Sequence, residues 1–425
     1  MQVKTFVYFY ICLSVHLANG NISPDIEQQC KDVQDSHMCF FNLLKNNTEI
    51  NRTTLIIQEE YFWHPVKRKR KDCRALSEKE RNDLFSAINA LRKDKSKTPN
   101  VYDNYAAFHT QRTLKSVHHG PNFFGWHRIY LLRFEELLRK VNPSVTLCFW
   151  ESPLNYYMKN PLDFVMFTDD FLGNGRGTVT TGPFANWTTM DNRPLRRRLG
   201  KHRDGRLLAP FEIKYVLSKN RHSQITHPNA DFGSDLEMMH NVVHILVGGQ
   251  MGDLKTSTQD PFFWFHHAYL DSVWEQFCAK IRQNGIDPKD DYVKVKNKLH
   301  HPKRRMDRLF PFRNEDGYSD YFTKYVYEYD EHAKCPYCSY SPYLDCNKKK
   351  NVCYALSSRD KTRNITMPFH DFAPTGPGHK ISILSGQENA KRLIFLPIKI
   401  IFEDALKKNL HMKKIAGCQF EQRSR

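Results

Sequence analysis

The stretch that decides the fold is LEMMHNVVHILVGGQM at residues 236–251. His240 and His244 are four residues apart, so an α-helix would place both imidazoles on one face. Gly248 and the glycine after it predict the end of this helix, because glycine tolerates the left-handed conformation that closes many helices. The zinc-protease motif needs a glutamate directly after the first histidine of such a pair, and Asn241 stands there instead.

A second helix is predicted in DPFFWFHHAYLDSVW, residues 260–274. Asp260 is its expected N-cap and Pro261 its expected first helical residue, which is a favourable pairing. His267 lies one and a half turns into this helix. Two antiparallel helices that point three histidines inward predict a metal site of the kind built in bundle cores. Imidazole ligands without a carboxylate leave zinc, copper, iron and nickel as candidate metals.

A second histidine cluster lies upstream in VHHGPNFFGWHRIYLLRFE, residues 117–135. His118 and His127 are nine residues apart, which would be opposite faces of one helix, but the Gly-Pro pair at 120–121 breaks the chain between them. One helix earlier, His109 follows two tyrosines and an alanine at helical spacing, so we expect a helix to carry it. The sequence therefore predicts a second triad of histidines.

Two histidine triads on four helices form the arrangement of a coupled dinuclear copper site, and the sequence resembles a known family at these positions. It is similar to the CuA and CuB regions of tyrosinases in four segments: FFGWHR (123–128), HNVVH (240–244), VGGQM (247–251) and DPFFWFHHA (260–268). The resemblance covers about residues 75–330 and is most like secreted invertebrate tyrosinases.

The resemblance implies two copper ions, with dioxygen as co-substrate, held by two sets of three histidines: His109, His118 and His127, and His240, His244 and His267. In the family the second histidine of the His-His-Ala segment is the ligand, which favours His267 over His266.

Three further residues match family positions near the metals. Phe263 matches the aromatic residue that shields the second copper ion, and it shares a helical face with His267. Glu237 and Asn241 match the pair that holds a water molecule for deprotonating a phenol; the less favoured alternative for Glu237 is a surface carboxylate. Asp271 could orient an imidazole or form a salt bridge.

Two departures from the family pattern are visible. Ser116 stands where many members carry a cysteine that is cross-linked to histidine, so no such thioether is expected. The interval from His109 to His118 is shorter than in most members, which makes His109 the ligand that rests least on the resemblance.

Residues 1–20 combine Lys4, an apolar stretch and a small-residue end, which predicts a signal peptide and a secreted, extracellular protein. Secretion makes disulfides expected. Of the 11 cysteines, Cys12 would leave with the signal peptide. Four others form the Cys-rich cluster at 335–353, which predicts either disulfides or a four-cysteine zinc site. Five glycosylation sequons also suit a secreted protein: Asn21, Asn46, Asn51, Asn186 and Asn364.

The 425-residue chain has a formal net charge of +18, with basic runs that include Arg196–Arg203. Such a surface is simply solvated, contains basic proteolytic-processing sites, or attracts acidic substrates or matrix. No nucleic-acid motif is present, and no apolar run after the N-terminus predicts a membrane anchor. The expected partners are small phenols or tyrosine residues of extracellular proteins.

We therefore expect a mainly α protein with a four-helix bundle core around a dinuclear copper site, with long loops. After the second metal-binding helix, the runs Tyr325–Tyr329 and Leu393–Phe402 predict strands. The predicted parts are a signal peptide (1–20), an N-terminal disulfide-tied segment (21–75), the copper domain (76–330) and a small Cys-rich, β-leaning C-terminal extension (331–425). The expected activity is ortho-hydroxylation of monophenols and oxidation of o-diphenols to o-quinones, for pigment formation or protein crosslinking. The alternatives are a catechol oxidase and a hemocyanin-like oxygen carrier.

Overall fold

The computed structural model describes residues 67–358, and this part of the chain is mainly helical. It contains eight α-helices: α1 Glu78–Lys93, α2 Val101–Ala106, α3 Gln111–Val117, α4 Asn122–Val141, α5 Pro153–Tyr156, α6 Pro210–Ser218, α7 Leu236–Val247 and α8 Phe262–Gln283. It also contains six short strands: β1 Arg68–Arg70, β2 Arg176–Thr178, β3 Arg196–Arg198, β4 Tyr327–Tyr329, β5 Leu344–Asn347 and β6 Val352–Ala355. The predicted mainly α class is confirmed.

Helix α1 begins at a capping box, as its sequence indicates. The Glu80 amide donates to Ser77 Oγ at 3.2 Å, and the Ser77 amide donates to the Glu80 carboxylate at 2.8 Å. Leu84, Ile88 and Leu91 recur at helical spacing and are all buried. This apolar face packs α1 against α4, the helix that carries the third histidine of the first cluster.

The two longest helices, α4 and α8, pack against each other at the centre of the molecule. Phe134 of α4 stacks on Trp264 of α8 with ring centroids 3.7 Å apart, and Tyr130 of α4 lies 5.0 Å from the same indole. All three rings are fully buried. Because large aromatic rings bury much apolar area, this contact anchors the helices that carry His127 and His267.

The prediction that a helix carries His109 is wrong by one turn. Helix α2 ends at Ala106, and the Ala107 amide still bonds four residues back, to Asp103 O at 2.9 Å. The two amides after that bond only three residues back: Phe108 N to Tyr105 O at 3.0 Å and His109 N to Ala106 O at 3.2 Å. The backbone thus tightens and leaves the helix before His109. His109 lies in the turn between α2 and α3.

The C-terminus of α7 and the N-terminus of α8 lie close to their predicted positions. Gly248 has a φ of 60° and closes α7, as predicted. Helix α8 begins at Phe262, one residue later than predicted, with Pro261 as the flanking residue. The Asp260 carboxylate still accepts a hydrogen bond from the Phe262 amide at 3.0 Å, so it caps the first turn as expected.

Three two-stranded sheets accompany the helices. Strand β1 pairs with β4 in parallel, while β2 with β3 and β5 with β6 are antiparallel. A predicted strand over 325–329 is confirmed for its last three residues, which form β4. Its first two residues belong to a π-helical turn, Phe322–Val326. A second predicted strand, 393–402, lies outside the described residues.

The cysteine cluster forms disulfides, so the four-cysteine zinc alternative is wrong. Three disulfides lie in the described region: Cys73–Cys148, Cys335–Cys346 and Cys338–Cys353. Cys278 is a buried free thiol. The other cysteines, the signal peptide and four of the five sequons lie outside the described residues, while the fifth, at Asn186, is exposed. The segment boundaries at 75 and 330 stay predictions.

No helix within residues 67–358 is both long enough and apolar enough to cross a lipid bilayer.

Candidate metal centre

The first triad brings together three histidines from separate segments. His109 lies in the turn after α2, His118 directly follows α3, and His127 lies in the second turn of α4. Each offers one ring nitrogen, and these three atoms lie within 4.8 Å of one another. The break after α3 lets His118 and His127 face the same point, although they are nine residues apart in sequence.

The second triad consists of His240 and His244 on α7 and His267 on α8. Their ligand atoms also lie within 4.8 Å of one another, and all three side chains are buried. The four-residue spacing on α7 puts two imidazoles side by side, with ring centroids 4.7 Å apart.

The two triads face each other across a narrow gap. His127 of the first triad stacks on His267 of the second, with centroids 4.7 Å apart and planes 22° apart. His118 and His240 form a second facing pair at 6.5 Å. Six imidazoles therefore converge in one buried region, with no carboxylate in either triad.

Backbone carbonyls orient four of the six imidazoles. In each case Nδ1 donates to a carbonyl oxygen, so Nε2 keeps its lone pair and can accept a metal. The four pairs are His109 with Leu254 (3.0 Å), His127 with Phe123 (2.8 Å), His240 with Glu237 (2.6 Å) and His244 with Met251 (2.8 Å).

The donor set fits a metal ion at each triad. Nε2 of His127 and Nε2 of His240 are buried and have no hydrogen-bond partner among the described residues. Such unpartnered buried atoms are unfavourable unless a ligand satisfies them, and one stands in each triad. Imidazole nitrogens without carboxylates or thiolates suit copper, zinc, iron or nickel.

Burial keeps these imidazoles neutral. Desolvation lowers the pKa of all six histidines, to about 3 for His109 and about 4 for His244. A neutral imidazole is the form that binds a metal, so the unprotonated ligands are already present at neutral pH.

Phe263 stacks on His267 with centroids 3.9 Å apart and lies 5.3 Å from the ring of His109. It is fully buried, so it forms an apolar wall between the two triads. By contrast, His266 points away, because its Nε2 lies 3.1 Å from the carbonyl oxygen of His240.

Glu237 is buried, so its alternative assignment as a surface glutamate is wrong. Both of its carboxylate oxygens accept from the His119 amide, at 2.7 and 2.9 Å. Burial raises the pKa of Glu237 to about 8, although these hydrogen bonds oppose the shift. Glu237 thus ties α7 to the turn that carries His118. Asn241 is half-buried, and its amide nitrogen lies 3.8 Å from the Met238 sulfur.

Asp271 forms the salt bridge that its sequence position allowed. It accepts from Arg128 Nε at 2.8 Å and from the Tyr327 and Tyr329 hydroxyls at 2.7 and 2.6 Å. Sequence reasoning assigned no role to Arg128, although it belongs to the FFGWHR segment. The carbonyl oxygens of Met251 and Leu254, which orient His244 and His109, are not predictable from the sequence, because every residue carries a backbone carbonyl.

Comparison with known proteins agrees with this geometry. Residues 99–280 match the family described as the common central domain of tyrosinase. A tyrosinase-like protein of Pinctada maxima is 40% identical over 339 residues, which cover 75% of this chain and 73% of that protein. Tyrosinase-like protein 2 of Margaritifera margaritifera is 41% identical over 308 residues, which cover 67% and 66% respectively. The chain belongs to the tyrosinase family.

The fold agrees with this membership. A polyphenol oxidase from Thermothelomyces thermophila matches with a TM-score of 0.52 at 19% identity, over 73% of this chain and 99% of that structure. Tyrosinases are copper proteins, and the two triads could hold a dinuclear copper site. The resemblance to invertebrate tyrosinases is confirmed by the two molluscan relatives.

Proposed function

We propose that this tyrosinase-family protein is a copper oxidase of phenols. It ortho-hydroxylates monophenols and oxidises o-diphenols to o-quinones with dioxygen. For a monophenol, one oxygen atom of O₂ enters the ring, the ring supplies two further electrons as it becomes the o-quinone, and the other oxygen atom leaves as water. The observation that carries the proposal is the pair of buried, all-histidine triads facing each other, each with an Nε2 that has no hydrogen-bond partner in the described part of the chain.

Each triad would hold one copper ion, and bound copper would supply the redox chemistry with dioxygen. The protein holds the imidazoles neutral by burial and aims their Nε2 atoms through carbonyl hydrogen bonds to Nδ1. Phe263 fixes the plane of His267 by stacking and keeps that side of the centre dry. An aromatic substrate would meet an apolar wall there, which favours a neutral phenol ring.

Glu237 and Asn241 would handle the phenolic proton. Each carboxylate oxygen of Glu237 has two lone pairs, so it can accept from a water molecule as well as from the His119 amide. Asn241 follows one turn later on α7 and is half-exposed, so its amide could hold the same water. A water held by a carboxylate can take the proton of an incoming phenol.

A second candidate is a catechol oxidase that does not hydroxylate monophenols. It is favoured by one observation: both Glu237 oxygens already accept a hydrogen bond from the His119 amide, so the carboxylate is engaged in holding the turn. Both candidates use the same copper ions.

Oxygen uptake and quinone absorbance test these proposals, with the copper-loaded protein given a monophenol and then a catechol. Oxidation of both, abolished by His244→Ala and retained in His266→Ala, supports the tyrosinase activity. Oxidation of the catechol alone selects the catechol oxidase. Reversible oxygen binding without turnover would reject both in favour of an oxygen carrier.

We also propose that the protein is secreted and acts on small phenols or on tyrosine residues of extracellular proteins, for pigment formation or quinone crosslinking. The three disulfides in the described region support an oxidising compartment. Expression in a secreting cell tests the signal peptide: the mature protein should begin close to residue 21, and retention of Met1 in secreted protein would reject it.

A further inference from the structure

A strongly basic surface lies beside the metal centre. We call it the basic ribbon: Arg176 of β2, Arg196 and Arg198 of β3, and Lys201 in the turn that follows. All four side chains are exposed, and none has an ion-pair partner among residues 67–358. Solvated surface arginines are common, but most of the other strand arginines here are paired with carboxylates, such as Arg68 and Arg70 of β1 with Glu135.

The pairing of the two strands opposes local stability. Arg176 and Arg198 are directly opposite in the antiparallel ladder, so their side chains share one face. Like charges at directly opposite positions destabilise a two-stranded ribbon. Arg176 Nε donates to the Leu199 carbonyl at 3.1 Å, but no ion pair with residues 67–358 offsets the facing charges. A local arrangement that lowers stability in this way is expected at functional surfaces.

Arg197, which lies between Arg196 and Arg198 on β3, fastens the ribbon to the protein core. Arg197 points inward, is fully buried, and forms a two-pronged ion pair with Asp260 at 2.7 and 2.8 Å. It also donates to the Leu172 carbonyl at 2.9 Å. Asp260 caps the first turn of α8, so the ribbon is fastened to the helix that carries His267.

The ribbon also contacts the segment that supports the histidines. The Arg196 amide donates to Gln250 Oε1 at 2.6 Å, and a Cβ on Gly248 would lie 3.0 Å from the Arg198 Cβ. The carbonyl oxygen of Met251, the residue after Gln250, accepts the hydrogen bond from His244 Nδ1. An anionic ligand on the ribbon would therefore lie beside the backbone that orients a metal ligand.

From these observations we infer that the basic ribbon binds an acidic segment of a polypeptide substrate whose tyrosine enters the copper site. The inference rests on the proposed oxidation of phenols and names its substrate class. A fixed row of cations without ion-pair partners in the described part of the chain complements carboxylate side chains, and arginine matches carboxylates with two parallel hydrogen bonds. A polypeptide is favoured over a polysaccharide because one chain can place carboxylates on the ribbon and a phenol in the neighbouring centre.

Binding is tested first, with a redox-inert probe. The probe is a fluorescent peptide of about ten residues, roughly 33 Å when extended, with one phenylalanine flanked by aspartates. Arg196→Gln/Arg198→Gln should weaken its binding about 3- to 10-fold. The matched control, Lys294→Gln/Lys296→Gln, removes two exposed lysines elsewhere and should have little effect. Binding to the intact protein should also weaken as salt is raised.

Turnover is tested with the same peptide carrying tyrosine in place of phenylalanine. The arginine variant should raise KM for this peptide by a similar factor, with kcat and the KM for free catechol unchanged. A peptide with asparagine in place of aspartate should not respond to the substitution.

The inference is overturned if the wild type binds the aspartate and asparagine peptides equally, or if the lysine control weakens binding as much. It is also overturned if heparin, and not the peptide, binds through the two arginines. Peptide binding, measured by fluorescence anisotropy, needs no turnover, so failure of the proposed oxidase activity would be visible separately.

Discussion

Arg128 Nε donates a 2.8 Å hydrogen bond to the Asp271 carboxylate, and this buried ion pair joins the two helices that carry the metal centre. Arg128 follows His127 on α4, and Asp271 lies one turn after His267 on α8. The same carboxylate accepts hydrogen bonds from two tyrosine hydroxyls of β4. The separation of the two triads is therefore set by a network of charge and hydrogen bonds as well as by apolar packing.

Removing the charge of Asp271 should destabilise the protein and loosen the centre. Asp271→Asn leaves the buried Arg128 with Glu275 as its remaining carboxylate partner, which should lower the free energy of unfolding by about 3 kcal/mol. Urea unfolding measures the loss, with the exposed Asp320→Asn as control. An Asp271→Asn protein as stable as the control would show that the pair contributes little.

Phe263 should be needed to hold His267 in place. Phe263→Ala removes the ring stacked 3.9 Å from that imidazole and leaves a cavity, at a cost of about 3–5 kcal/mol. We expect lower copper content after dialysis, whereas Phe263→Leu should retain most of it. Copper per chain, measured by mass spectrometry of the folded fraction, checks this. Full copper content in the alanine variant would contradict the positioning role.

Glu237→Gln should separate the two activities. The glutamine oxygen can still accept from the His119 amide, so the turn of His118 stays in place. If Glu237 serves proton transfer, kcat for a monophenol should fall by about 10²- to 10⁴-fold, and catechol oxidation should fall far less. Equal losses for both substrates would show that Glu237 only holds the turn.

The buried carboxylate of Glu135 should make the free energy of unfolding depend on pH. Burial alone would raise its pKa, but Arg70 and Arg68 hold it at about 2. Because the folded-state pKa lies below the unfolded value of 4.5, the contribution of about 3 kcal/mol is present above pH 4.5 and lost towards pH 2. The free energy of unfolding, measured with urea at pH values from 6 to 2, should fall less steeply with decreasing pH in Glu135→Gln than in the exposed control Glu78→Gln. An equal dependence of the unfolding free energy on pH in the two variants would contradict this role of Glu135.

Local pattern was enough to predict much of the centre. The four-residue spacing of His240 and His244 and the glycine that follows were sufficient for α7, because helix periodicity and C-capping are local. His109 was expected in a helix because the spacing before it is helical, but nothing in that spacing shows that the backbone tightens after Ala106. The bond between Arg128 and Asp271 spans 143 residues, and long-range partners of this kind have no signal in one sequence.

The central claim is that each triad holds one copper ion, and copper bound per chain after anaerobic loading and dialysis tests it most directly. We predict two copper ions in the wild type and in His266→Ala, and one when the second triad is removed by His240→Ala/His244→Ala. A single copper ion in the wild type, or two retained after the second triad is lost, would contradict the account.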